Sequence, residues 1–573
     1  MRGMYNANHG DDRQVGRPDG PSDEQRERRG SRARGGRSGL KQWIVFLAVA
    51  TALFLLVWAG WSVTTHRITL PYMSNVVRSD SPATTSATIG LTPQNDAAAP
   101  QTLDIRTAES PELDRALIGN VYQTLVGRAD DNTLTAAVAS SWKTSDDAKT
   151  LTFTLRDDLT FSNGDRLDSS DVVTSLQRAI EGKWPGTAER FAALESVTNP
   201  DRRTVRITLS HPDATLPYTL SGRLGIVYDA DATVDYATRA LGSGPFTVSR
   251  FAKGESITLT ARTDGTSASR SIDADGDRGK DDIGRAARTG TIRLRYFADD
   301  AALVAAAKKG SLDMAVPADP ANARTIAADS QGGATSLTAV DGVSTRKVTL
   351  LFNNDADSPL SMPRVRQSLR MIVDRQAILN GRTDVSKPLG GPIGPLEPGY
   401  EDLTSTLTHD VAQAQSLLAY FGSRYLGTFT LITPARYESI ARAIADQMTA
   451  AGLVVDVQVL DQAQLAERVA SRGFTMMITE LDGEDGTASF ADAESASHYT
   501  NATAQQQYEA AVGATSQDAY ANGLKTYART ISEDAASDWL YARKVTIAAS
   551  TRIEGYTAAM ADDRLPLADL ARK

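Results

Sequence analysis

The stretch from Ser141 to Ile180, SWKTSDDAKTLTFTLRDDLTFSNGDRLDSSDVVTSLQRAI, decides how the rest of the chain is read. Leu151, Phe153 and Leu155 alternate with Thr152, Thr154 and Arg156. A period of two predicts a strand with one buried face. Ser162-Asn163-Gly164-Asp165 is a turn cluster in which Gly164 is free to take positive φ. Asp168 then stands where a helix N-cap belongs, with Asp171 three residues on, facing the positive end of the helix dipole. Val172, Leu176 and Ile180 share one face of the helix that follows. The unit is a strand, a turn and a capped helix, and nothing in it is chemical.

Working outward, the same alternation of strand and helix signals recurs. Arg203–Leu209 and Thr291–Phe297 both alternate apolar with polar residues. Pro434 is placed to open a helix with Ile440, Ile444 and Met448 on one face, which Gly452 closes before a strand over Leu453–Leu460. Strands alternating with helices predict an α/β protein with largely buried sheets. At 573 residues the chain is too long for one core and predicts two or three domains. It contains no cysteine, which excludes disulfides, thiolate metal sites and cysteine nucleophiles.

Between Trp43 and Val63 the sequence WIVFLAVATALFLLVWAGWSV carries no charge and is long enough to cross a bilayer. Seven basic residues between Arg26 and Lys41 precede it. By the positive-inside rule, residues 1–41 form a basic, disordered cytoplasmic tail. Residues 42–63 form a transmembrane signal anchor, and the C-terminal bulk lies outside the cytoplasm. A cleaved signal peptide, with Val57-x-Ala59 as its small-residue site, and a buried core helix are the competing readings. Residues 64–99, rich in Ser, Thr, Ala and Pro, read as an extracellular linker. The net charge of −9, with no basic stripe beyond the tail, argues against nucleic-acid binding.

Sites of chemistry are sparse. The five histidines do not pair at metal-ligand spacing, and no phosphate loop, nucleophile elbow or H-E-x-x-H motif occurs. Asp273, Asp275 and Asp277 suggest a calcium loop, but Arg278 and Gly284 stand where that loop needs Gly and Glu, so the segment reads as a solvated surface insert. The acidic run Glu480, Asp482, Glu484 and Asp485, after an apolar strand at Phe474–Ile478, is the one cluster able to do charge chemistry. Its plain reading is an acidic loop.

Residue types in fixed order now point further. Val138-Ala139-Ser140-Ser141-Trp142, Phe153-Thr154-Leu155-Arg156, Phe161, Gly164 and Asp171-Val172 form one ordered set. Asn120–Val126, Leu241-Gly242-Ser243-Gly244-Pro245-Phe246, Lys309–Asp313, Leu351–Asn354, Arg364–Leu369 and Val373-Asp374-Arg375 continue it down the chain. Together they resemble the family 5 extracellular solute-binding proteins, the peptide-, oligopeptide- and nickel-binding receptors of ABC importers. The resemblance implies two α/β lobes around a cleft, with an extra subdomain. Lobe I would comprise 100–135, 241–345 and 546–573, the accessory subdomain 136–240, and lobe II 346–545. It implies a binding protein, not an enzyme, with no cofactor. The expected partners are an oligopeptide ligand and ABC permease subunits, with the receptor itself a monomer. The segment after the Phe474–Ile478 strand would run past the ligand, placing Asp482 first and Asp485 second as partners of a peptide's α-ammonium, with Leu481 beside them. Tyr122 and Ser110 fall in the first-lobe segment that faces the cleft in such proteins. The chain departs from the family pattern in lacking the Trp of its Tyr-Asp…Trp…Asp segment, in reading Leu103-Asp104-Ile105 for Leu-Asp-Pro, and in lacking the lipid-modified cysteine. Those departures leave room for a relative that acts as a ligand sensor or interaction module instead of a transport receptor.

Overall fold

The computed structural model describes residues 85–573 apart from 95–96, 230, 264–286, 332–335 and 562–563. The proposed anchor at 42–63, the basic tail and most of the polar insert lie outside the described residues. Among the described residues no helix is long and apolar enough to cross a membrane.

Ser81–Lys573 forms one compact unit built on an eleven-stranded sheet. Across it the strands run Val454–Val459, Thr428–Thr433, Met476–Asp482, Leu337–Phe352, Asp538–Ser550, Met314–Val316, Ser86–Leu91, Thr291–Tyr296, Ser256–Ala261 and Phe246–Ala252, with Val385–Pro388 also pairing to Asp538–Ser550. The first three of these strands belong to lobe II and the last five to lobe I. Ser86–Leu91 lies parallel to both of its neighbours. Residues 64–99 are therefore not all linker: Ile89 and Leu91 are fully buried, and the lobe I sheet needs that strand.

Among the described residues, Leu337–Phe352 and Asp538–Ser550 are the strands that stand between these two groups in the sheet. They pair antiparallel from Leu337↔Ser550 to Val343↔Lys544 and resume at Lys347↔Ala542, so Ser344, Thr345 and Arg346 oppose the single residue Arg543. Extra residues on one strand bend and twist a ladder locally. The break falls where the sheet passes between the two groups of strands, the position at which a hinge would lie, and the bulge is called the hinge.

The opening stretch lies on a separate antiparallel sheet, Ala139–Thr144, Thr150–Leu155, Thr204–Leu209 and Leu194–Asp201. Gly164 takes φ +94° in the turn. The helix Ser169–Glu181 opens with a full capping box: Asp168 accepts from the helix N-terminus while Asp171 accepts from the Asp168 N–H at 2.9 Å. Val172 and Leu176 are buried beneath it, in an apolar core continuous with that of lobe I. Further along, the helix Glu438–Ala450 buries Ile440, Ile444 and Met448, and Gly452 follows at φ +97°.

The strand expected to stop at Ile478 runs on to Asp482. Glu480 and Asp482 therefore sit on a strand end paired to Val348 and Arg346, not in a loop. Ladder hydrogen bonds to the hinge strand carry the pairing past the apolar run.

Candidate functional site

A cavity of about 590 Å³ lies between the lobes. It is lined by Arg128, Arg190, Tyr218 and Arg223 from the first part of the chain, and by Thr345 and the segment Glu480–Asp485 from the later part. The first group carries guanidinium groups together with the carboxylates of Glu109 and Asp114, and the second carries carboxylates.

The acidic run divides by environment. Asp482 projects into the cavity with its side chain 44% exposed. Its Oδ1 accepts from the Thr345 hydroxyl at 2.7 Å, and Arg346 Nε lies 4.0 Å from Oδ2. Hinge residues thus aim this carboxylate while leaving it in contact with the cleft. Asp485 pairs across the cleft with Arg190 of the accessory subdomain. That pair is largely solvent-exposed and contributes little on its own. Leu481 lines the cavity half-buried, packed against the lobe II core.

Glu480 has the opposite surroundings. It is buried among Arg346 at 3.2 Å, Arg436 and Arg543 at 3.7 Å, and the Tyr437 hydroxyl, which donates to it. Burial works to raise its carboxyl, yet Arg543, Arg346, Tyr437 and Arg436 together hold it below the usual carboxylate range. Arg543 also donates to the Ala318 carbonyl at 2.6 Å and contacts Gln94 Oε1 at 3.4 Å, so this hinge arginine touches both lobes.

The other expected site residues have structural positions. Ser110 caps the helix Pro111–Leu117, accepting from the Leu113 N–H at 3.3 Å. Tyr122 is 1% exposed within the lobe I core and does not line the cavity. From that region Glu109, Asp114 and Ile118 reach the cavity, Asp114 held by Arg223 at 2.8 Å. Among the described residues no group of His, Asp and Glu is placed to hold a metal ion.

Comparison with known proteins identifies the architecture. The profile described as "Bacterial extracellular solute-binding proteins, family 5 Middle" matches residues 133–506, more than half of the chain. The chain belongs to this family. The probable D,D-dipeptide-binding periplasmic protein of Escherichia coli K12 is 24% identical over 499 residues, covering 80% of this chain and 90% of that protein. Among solved structures, the ABC transporter substrate-binding protein CtaP of Listeria monocytogenes superposes with a TM-score of 0.71 at 19% identity, over 85% of this chain and 99% of that one. The oligopeptide-binding protein AppA of Bacillus subtilis, solved with a nonapeptide, gives 0.64 at 17% identity, over 85% and 99%. As a family 5 member the chain is a binding protein and not an enzyme.

Sequence reasoning did not single out Arg190, Thr345, Lys347 or Glu397, which the fold brings to the cleft or just behind it. Lys347 follows Arg346 directly in the sequence, so nothing there set it apart as the buried one of the two cations.

Proposed function

We propose that this chain is the receptor of an ABC importer and takes up short peptides in the interlobe cleft. The observation that carries the reading is Asp482, a carboxylate on a strand end, oriented by the hinge and open to a cavity of about 590 Å³. A volume in the range of about 300–1,000 Å³ suits a small ligand largely enclosed by protein. The relatives named for dipeptide and oligopeptide binding support the same class.

The mechanism follows from the two-strand hinge. A peptide's α-ammonium makes a charge-assisted hydrogen bond to Asp482 on lobe II, while its far end meets the arginines of lobe I and the accessory subdomain. A ligand that touches both lobes stabilises the closed state by its differential affinity for it. The closed receptor docks on permease subunits and releases its cargo there. The apolar segment Trp43–Val63 holds the receptor at the membrane, with its lobes outside the cytoplasm and joined to the anchor by a linker ending near Ser86.

The test is to purify Ser81–Lys573, release bound small molecules, identify them by mass spectrometry, and follow melting temperature against a peptide panel. Co-purified short peptides and a saturable rise in melting temperature are expected. A protein that releases no peptide and that no panel member stabilises would contradict the proposal.

A further inference from the structure

Behind the acidic wall lies a buried ion pair that the cleft chemistry does not use. Lys347 is fully buried on the hinge-crossing strand, paired in register to Leu481 on one side and Ala542 on the other. Its ammonium donates to both carboxylate oxygens of Glu397, at 2.7 Å to Oε2, and to the Gly483 carbonyl at 2.8 Å. The Thr487 hydroxyl lies 3.5 Å away. Glu397 is buried as well, and its Oε2 also accepts from the Gly394 N–H at 2.8 Å. Removing two charges from water is costly, and apolar residues of similar volume would hold the core as well or better. The pair therefore calls for a use beyond packing.

Its connections supply one. Gly483 follows Asp482 directly and takes a left-handed φ of +43°, so its carbonyl direction sets how the chain turns away from the cleft. Glu397 belongs to the loop that reaches the opposite wall: the adjacent Leu396 carbonyl accepts from Asn132 Nδ2 at 3.0 Å. Thr487, in the short helix after the turn, donates to the Pro392 carbonyl of that same loop at 3.1 Å. One ammonium thus joins the hinge strand, the turn carrying Asp482, and the loop that meets the lobe I side.

We infer that Lys347 is a positioning residue for the cleft, fixing the Asp482–Gly483 turn through the Gly483 carbonyl and tying it through Glu397 to the loop that contacts the other wall. The consequence for peptide affinity rests on the reading of Asp482 given above. The consequence for the turn itself does not.

The experiment compares the full chain with Lys347→Met, Glu397→Gln and the double variant Lys347→Met/Glu397→Leu. Melting temperature, amide hydrogen exchange over 481–488 and affinity for L-alanyl-L-alanine are read for each. Lys347→Met leaves a buried carboxylate unpaired and melts lower. The double variant recovers the melting temperature, yet its 481–488 amides exchange about tenfold faster and its dipeptide affinity falls about tenfold, as for a turn that is competent a tenth of the time. Glu397→Gln keeps an acceptor for Lys347 and gives a smaller rise in exchange at the same amides, so the test survives a double variant that fails to fold. Exchange at 481–488 equal to wild type in the double variant, or in Glu397→Gln if that alone folds, overturns the inference and leaves the pair a packing element. A wild-type chain that ignores the dipeptide counts against the peptide reading, and the exchange comparison then decides this inference by itself.

Discussion

At the scale of single residues, the acidic run separates into groups with different tasks. Asp482 is aimed by Thr345 and open to the cavity, whereas Glu480, although it also borders the cavity, has its carboxylate enclosed by arginines. Asp482→Asn keeps an acceptor for Thr345 but loses the charge that meets an ammonium. Calorimetric titration with a bound peptide should show a loss of about 1.5–3 kcal/mol, roughly 10- to 100-fold. Asp485→Asn, at an exposed pair, should cost at most about 1 kcal/mol. Glu480 gives a pH signature. Its folded-state value lies below its ordinary 4.5, so its stabilising contribution is complete above that value and is lost as pH falls through the lower folded value. Glu480→Gln should be less stable than wild type near neutrality by about 3–5 kcal/mol, since it leaves buried arginines unpaired. That gap should narrow as thermal melts are repeated below pH 4.5. A gap that stays constant to pH 3 would show that the arginines do not depress this carboxyl. The sequence made the cluster visible and the family resemblance ranked Asp482 ahead of Asp485, but neither marked Glu480 as enclosed, because burial among Arg346, Arg436 and Arg543 is a product of strand register and lobe assembly.

At the scale of elements, signals between neighbouring residues specify structure directly, and those that depend on distant partners do not. The capping box at Asp168 and Asp171, the turn at Gly164 and the helix closed by Gly452 follow from neighbouring residues, and each stands as its local chemistry dictates. The Gly242-Ser243-Gly244 motif has a tertiary cause: a Cβ on Gly242 would fall 2.1 Å from the Val121 carbonyl oxygen, and one on Gly244 2.6 Å from that of Asn120. Gly242→Ala should force the two segments apart and lower stability by about 1–3 kcal/mol or more, measurable by chemical denaturation. The hinge bulge at Ser344–Arg346 left no sequence mark, since the apolar pattern of a strand says nothing about where its partner slips register. For the same reason the strand Met476–Asp482 outruns its apolar residues: its last positions are held by pairing to Arg346 and Lys347.

At the scale of the whole molecule, ordered family motifs conveyed the two-lobe architecture, and no periodicity would have shown that two strands stand between the lobes in the sheet. Under the proposed mechanism, contacts outside the cleft would also favour closure. The Ala214 N–H of the accessory subdomain donates to the Val512 carbonyl of lobe II at 2.7 Å, and Gln517 Nε2 donates to the Ala214 carbonyl at 3.0 Å. Tyr218 packs into the same apolar cluster as Tyr520. Gln517→Ala removes one such bond without touching the cavity lining. Apparent peptide affinity should weaken by about fivefold, because the closed fraction enters the measured constant, and small-angle scattering should report a larger radius of gyration. The central claim, a free peptide N-terminus captured by Asp482 in the interlobe cleft, is tested most directly by native mass spectrometry. Ser81–Lys573 would be mixed with short peptides and with their N-acetylated counterparts. The account predicts one-to-one complexes with the free peptides, lost on acetylation and lost in Asp482→Asn. Equal binding of the acetylated peptides, or no complex with either set, would contradict it.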